Sequence, residues 1–173
     1  MEVSVFVGIS VDGYLARKDG SLDFLPTDGG EPHGYNEFMA TVDAIVIGRG
    51  TYEVVLGFVK WPYEKPVIIL SSSLSEVSAP PNADCTLMSG EPHDIVNRLS
   101  DRGFQHLYVD GGITIQRFLS AGLIQRIIVT HVPVLIGTGI PLFGPLAHDI
   151  RLAHERTRSF PSGLVSSEYR VCS

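Results

Sequence analysis

Three short stretches combine small residues, hydroxyls and one permanent cation in a way that suits the binding of a phosphate. Gly48-Arg49-Gly50-Thr51 follows an apolar run and opens a helical pattern, and Arg49 offers a planar fork of donors matched to phosphate oxygens. Leu70-Ser71-Ser72-Ser73 ends a second apolar run in three hydroxyls. In YVDGGITIQRFL, Gly111-Gly112-Ile113-Thr114 removes two side chains between a third apolar run and an amphipathic segment. Taken singly, each has a structural explanation: helix capping for Thr51, a polar turn for the serines, a tight turn with positive φ for the glycines. Together they describe one anion-binding rim, provided that the three runs are strands ending on one edge of one sheet. Neither GxGxxG nor GxxxxGK[ST] occurs, so nucleotide binding cannot rest on those motifs.

The elements that must position these residues follow from the apolar periodicity. Strands are expected at 3–10, 43–48, 65–70, around 86–88, 107–110 and 124–132. Helices are expected at 35–42, 49–56, from Pro92 to Gly103 and at 113–121, with Gly57 and Gly103 as stops. Two further strands, at about 149–158 and 164–172, are joined by Phe160-Pro161-Ser162-Gly163 as a hairpin. Strands alternate with helices until about residue 130, which predicts a single α/β domain: a mainly parallel sheet, helices on both faces and an antiparallel hairpin at one edge. Residues 21–34 are rich in Gly, Pro and Asp without periodicity, and a loop of this length in a compact domain is often functional.

Composition narrows the function further. A chain of 173 residues, 44% hydrophobic and 18% charged, can bury one substantial core. A formal net charge of -6 and no basic block leave nonspecific nucleic-acid binding without its electrostatic source. No apolar run approaches the roughly 18 residues of a membrane span, and no basic segment precedes the apolar start, so a cytoplasmic protein is expected. Cys85 and Cys172 have no disulfide-framework or metal-knuckle spacing, and the six histidines show no metal-ligand spacing; no metal is expected.

DAIVIGRGTYEVV, KPVIILSSSL, LYVDGGITIQRFLSAGLIQRIIVTHVPVLIGTGIPLF and the opening VGISVDGYLA resemble, in order and over nearly the whole chain, the dihydrofolate reductase superfamily. The branch most resembled is the riboflavin-biosynthesis reductase, or RibD C-terminal, domain. The resemblance implies a three-layer α/β fold with a central, mainly parallel sheet of about eight strands and NADPH bound across the carboxyl edge. It implies that Gly48, Arg49, Gly50 and Thr51 contact the cofactor phosphates, that Arg49 with Ser71 and Ser72 surrounds the 2′-phosphate, and that Leu70 also borders the cofactor. It further implies that Gly111 and Gly112 lie against the pyrophosphate and nicotinamide, through a cis Gly-Gly bond, and that Ile113, Thr114 and Ile115 complete the cradle. Val7, Gly8 and residues 11–16 would border the nicotinamide.

The chemistry of the substrate side is less regular. An ungapped count puts Pro32 where a folate reductase would carry its helix carboxylate; Glu31 and Glu37 are close but do not match, and Glu37 reads as a solvated helix charge. Thr130 matches the hydroxyl at the end of a central strand, and Asp12 lies in the loop that the resemblance sets beside substrate, so these two are the catalytic candidates. Asp110 is placed either to cap the next helix or to face substrate. The count puts Lys65 where a folate carboxylate would be met. The expected activity is NADPH-dependent hydride transfer to a small heterocyclic or carbonyl substrate, with the riboflavin-type branch favoured over folate. A nucleotide-binding module of the same fold without turnover is the alternative. A homodimer is expected, from the resemblance and from Leu164, Val165 and Val171 in the hairpin.

Overall fold

The computed structural model describes residues 1–26 and 33–172. Ten strands and four helices follow along these residues. They are β1 (Glu2–Ser10), β2 (Tyr14–Ala16), α1 (Tyr35–Thr41), β3 (Ala44–Gly48), α2 (Arg49–Leu56), β4 (Val67–Leu70) and β5 (Cys85–Met88). After these come α3 (Pro92–Asp101), β6 (His106–Asp110), α4 (Gly112–Ser120), β7 (Arg126–Val132), β8 (Ile140–Pro141), β9 (Leu152–Ser159) and β10 (Val165–Val171). Eight strands form one sheet in the order β5-β4-β3-β6-β1-β7-β10-β9. Every pairing from β5 to β7 is parallel, and β10 runs antiparallel to both β7 and β9.

The period-two alternation of the strands sorts their side chains onto two buried faces. Val3, Val5, Val7 and Ile9 of β1 pack on one face with Ala44 and Val46 of β3, under Ile95 and Leu99 of α3 and Ile115 and Phe118 of α4. Phe6, Ile45 and Ile47 point the other way, toward Phe38 of α1 and Tyr52 of α2. Because parallel strands are covered on both faces, their sequences read as continuous apolar runs. The amino end of the sheet is tied to α1 by His106. Its Nδ1 lies 2.8 Å from the Thr41 carbonyl, which can only accept, so that nitrogen carries the proton and Nε2 accepts from the Ser4 hydroxyl at 2.8 Å.

β2 and β8 form a separate two-stranded sheet. A two-residue strand inside the Gly- and Pro-rich IGTGIPLFGP has no periodicity to read, and β8 was not among the expected elements. The closing hairpin is as expected, with Gly163 at φ +88° donating its N–H to the Phe160 carbonyl at 2.9 Å. β9 ends the sheet with all eight residues exposed. Of the hairpin residues expected to support self-association, Leu164 is buried within its own chain and Val171 packs against its own core.

Candidate functional site

The register aligns the three motifs. Gly48 pairs with Leu70 across β3 and β4, and Ile47 pairs with Asp110 across β3 and β6. All three strands therefore end on one edge, where α2 and α4 begin. Neither helix has a side-chain cap or an acidic residue in its first turn, which leaves the amides and positive ends of both helices to a ligand. They open on a cleft of about 610 Å³. Gly48, Arg49, Gly50, Thr51 and Val54 line it from β3 and α2; Leu70 lines it from β4; Tyr108 and Asp110 from β6; and Gly111, Gly112, Ile113, Thr114 and Arg117 from the turn and α4. Phe6, Val7 and Gly8 of β1 close one end, and Leu15 and Ala16 of β2, Gly20, Leu22 and Leu25 of the loop after it, and Ile140 of β8 cover it.

The glycines at this edge are required first by the protein itself. Gly111 has φ +95° and ψ 132°, a conformation that side chains other than glycine rarely adopt, and a Cβ there would collide with Thr51 Oγ1. A Cβ on Gly48 would lie 2.6 Å from Thr114 Oγ1, and one on Gly112 would lie 3.0 Å from the Pro141 carbonyl oxygen and 3.3 Å from Ile140 Cγ2. The turn is thus cross-packed: the threonine of each helix occupies space vacated by a glycine of the other motif. Gly50 differs, since nothing lies within 4 Å of its missing Cβ. The expected cis bond is not present; no peptide among the described residues is cis, and positive φ at Gly111 makes the turn instead.

Arg49 reaches the serine run at a different residue from those expected. Its Nη1 donates to Ser73 Oγ at 2.8 Å and its Nε lies 3.0 Å from Glu53 Oε1, one helical turn on. Ser71 turns its oxygen back to accept from the amides of Ser73 at 3.2 Å and Leu74 at 3.1 Å. Ser72 is exposed, and neither Ser71 nor Ser72 lines the cleft. Ile115 is 1% exposed in the core beneath α4, whereas Ile113 is 74% exposed along the cleft. The sequence reading missed Arg117, one turn beyond Ile113 and Thr114 on the same helix, although the i, i+3, i+4 spacing could have found it.

Asp110 faces the cleft and does not cap α4: its Oδ1 accepts from the Gly111 amide at 2.8 Å. Burial pushes its carboxyl up to about 6, against the pull of that amide. Three phenols stand close enough to feel its charge. Burial, and then Asp110, push Tyr35 up to about 12 and raise Tyr63 and Tyr108 as well, so all remain neutral hydroxyls at ordinary pH. Tyr108 donates to the Phe6 carbonyl at 2.8 Å.

The two catalytic candidates lie apart. Asp12 is exposed outside the cleft lining, its carboxylate accepting from Gly137 N at 2.7 Å and Ile136 N at 3.2 Å; the Ser10 hydroxyl and these amides lower its pKa. Thr130 is 4% exposed beside Gly8 on β1, and its Oγ1 has no hydrogen-bond partner among the described residues. Glu37 is exposed on α1, as expected, while Glu31 and Pro32 lie outside the described residues. Lys65 precedes β4 at the amino edge, where its charge helps to lower the pKa of Asp43 behind the larger effect of the Gln105 and His106 amides. It is on the edge opposite the cleft.

The sheet order and its edge cleft are those of a dihydrofolate reductase-like α/β fold, as superposition on solved structures shows. Within that class the chain belongs to the RibD C-terminal domain family, whose model matches residues 2–166. The uncharacterized protein YwjB of Bacillus subtilis (strain 168) is 30% identical over 160 residues, 90% of each chain. A crystal structure from Shewanella sp. PV-4, of a protein provisionally assigned to riboflavin biosynthesis, superimposes with a TM-score of 0.93 at 37% identity over all of both chains. Dihydrofolate reductase from Enterococcus faecalis, complexed with NADP(H), superimposes with a TM-score of 0.71 at 13% identity, over 99% of this chain and 97% of that one.

Proposed function

We propose that this protein is an NADPH-dependent reductase that transfers hydride to a C=N or C=O bond of a small heterocyclic or carbonyl substrate, with a pyrimidine of the riboflavin type favoured over folate. The observation that carries this reading is the strand register that aligns Gly48, Leu70 and Asp110 along a single cleft. The cleft volume falls in the range of small-molecule and cofactor sites, and its glycine-lined helix starts suit phosphates. In this reading Gly48, Gly50, Thr51, Gly111, Gly112 and Thr114 hold the cofactor phosphates through backbone amides and hydroxyls. Arg49, bridged to Ser73, takes the 2′-phosphate in place of Glu53. When bound, the reduced nicotinamide supplies the hydride. Asp110, neutral below about pH 6, supplies the proton to the substrate nitrogen or oxygen while the adjacent carbon accepts the hydride. The Thr130 hydroxyl is buried beside Gly8, outside the residues that line the cleft, and leaving it unpaired costs about 1–3 kcal/mol. Lys65 stands on the far edge, away from any folate carboxylate in the cleft, which supports the riboflavin-type preference.

The test is a fluorescence titration with NADPH and NADH. NADPH is expected to bind more tightly, and Arg49→Ala to weaken NADPH by about 10- to 100-fold, the value of a charge-assisted hydrogen bond, while leaving NADH almost unchanged. Equal affinities for the two cofactors in the unmodified protein would refute the assignment of Arg49. The same reading includes a cytoplasmic homodimer formed along the open edge of β9. Sedimentation at micromolar protein should then show a two-chain species, and a single-chain species would remove the dimer from the proposal.

A further inference from the structure

A second cavity, of about 320 Å³, lies on the α1 side of the sheet and shares only Phe6 with the cleft. Arg126 of β7, Arg156 and Arg158 of β9 and Ser166 of β10 line it, over apolar surface from Phe6, Phe38 and Ile128. Glu168, 8% exposed, accepts from Arg126 Nε at 2.6 Å and from Arg156 Nη2 at 2.8 Å, one oxygen for each. Each of its oxygens thus holds one cation in place, and each guanidinium keeps further N–H donors unspent. Arg126 also lies 6.0 Å over the Phe38 ring. Arg158 pairs with Ser166 through the β9–β10 backbone ladder, while its side chain makes no ion pair or hydrogen bond among the described residues. Among the described residues the acids on the cavity wall are Glu168 and Glu37, the latter exposed on α1, and His33 also lines it. Counted over the described residues, three guanidinium groups face two carboxylates, a positive excess.

Glu168 and Arg126 are largely shielded, with side chains 11% and 20% exposed, whereas Arg156 is 52% exposed; such a partly buried cluster is a poor source of stability, since desolvating its charges costs about as much as their attraction returns. What it does supply is order: two long side chains fixed before any ligand arrives, so that less entropy is lost on binding. The stacked rings of Phe6 and Phe38, with centroids 5.0 Å apart, form the apolar part of the wall. A forked cation beside a flat apolar surface recognises a carboxylate or phosphate carried on a planar ring.

We propose that this cavity is a second binding site, separate from the cleft, for a small organic anion with a planar apolar body. The test uses calorimetric titration of the full chain with phenyl phosphate and with benzoate, alongside inorganic phosphate. At least one ring-bearing anion is expected to bind with one-to-one stoichiometry, and inorganic phosphate roughly tenfold more weakly because it lacks the apolar body. Arg158→Ala is expected to weaken the ring-bearing anion by about tenfold or more, and Arg158→Lys, which keeps the charge and loses the fork, by less. Arg49→Ala should change nothing, because Arg49 is in the cleft. The Arg158 side chain is exposed and has no partner among the described residues, so its variants should fold. Absence of binding at millimolar anion, binding that survives Arg158→Ala, binding lost in Arg49→Ala, or equal affinity for inorganic phosphate would each overturn the proposal.

Discussion

Asp110→Asn should lower the turnover number by about 10²- to 10⁴-fold, the usual contribution of a positioned general acid, with little change in the affinity for NADPH. The carboxyl faces the cleft one residue before the glycine pair, and burial raises its pKa from 3.8 to about 6. The rate should therefore be highest below pH 6 and fall as pH rises through that value, and the asparagine variant should lose this limb. Stability carries the same signature. Between about pH 4 and pH 6 the folded chain binds a proton at Asp110 that the unfolded chain has released, so stability declines as pH rises through that window and levels off above it. The decline amounts to at most roughly 3 kcal/mol, from about 1.4 kcal/mol for each pKa unit. Urea unfolding at pH 4.5 and 7.5 would measure it, and Asp110→Asn should remove this contribution. If turnover fell with no change in the pH profile, Asp110 would be a positioning residue and the proton would come from elsewhere.

Most of the frame that presents Asp110 could be read from the chain. The apolar runs 43–48, 65–70 and 107–110 are continuous because parallel strands are buried on both faces, and that continuity, with the intervening helical spacing, identifies the α/β sheet. Pro92 and Gly103 marked α3 through elementary backbone chemistry. The grouping of positions 48, 70 and 110 followed from the topology, since strand ends after parallel crossovers share an edge. Details that depend on side-chain direction could not be read in this way. Which of three consecutive serines meets Arg49 depends on the turn in which Ser71 folds back on its own backbone, and residue type does not record it. Nothing in VDGGIT separates a capping Asp110 from one facing the cleft; the positive φ of Gly111 decides it. Asp12 reads from residue type as a turn former first, with only the resemblance setting its loop beside substrate, and its two amide partners come from residues more than a hundred positions away. Arg156 and Glu168 face each other across the closing hairpin, but Arg126 lies on β7, 42 residues before Glu168, so no local spacing announces the whole cluster.

Gly111→Ala should destabilise the fold by about 2–6 kcal/mol, because it combines a strained backbone conformation with an overpacked contact, each costing roughly 1–3 kcal/mol. The two causes can be separated. Thr51 Oγ1 is the atom that an added Cβ would meet, so Thr51→Ala should relieve the contact and leave the strain at φ +95° untouched. In a double-mutant cycle read by urea unfolding, the pair should be more stable than the sum of the single effects by about 1–2 kcal/mol, with the remaining loss assigned to the backbone. Gly50→Ala supplies the contrast, since open space surrounds its missing Cβ and its φ is not positive. That variant should stay within about 1 kcal/mol of the unmodified chain and weaken NADPH binding instead. A stable Gly111→Ala protein that had lost only cofactor affinity would mean that the bare backbone at position 111 serves the ligand alone. Strong destabilisation relieved by Thr51→Ala would mean that cross-packing between the two helix starts is what sets the geometry on which the cleft depends.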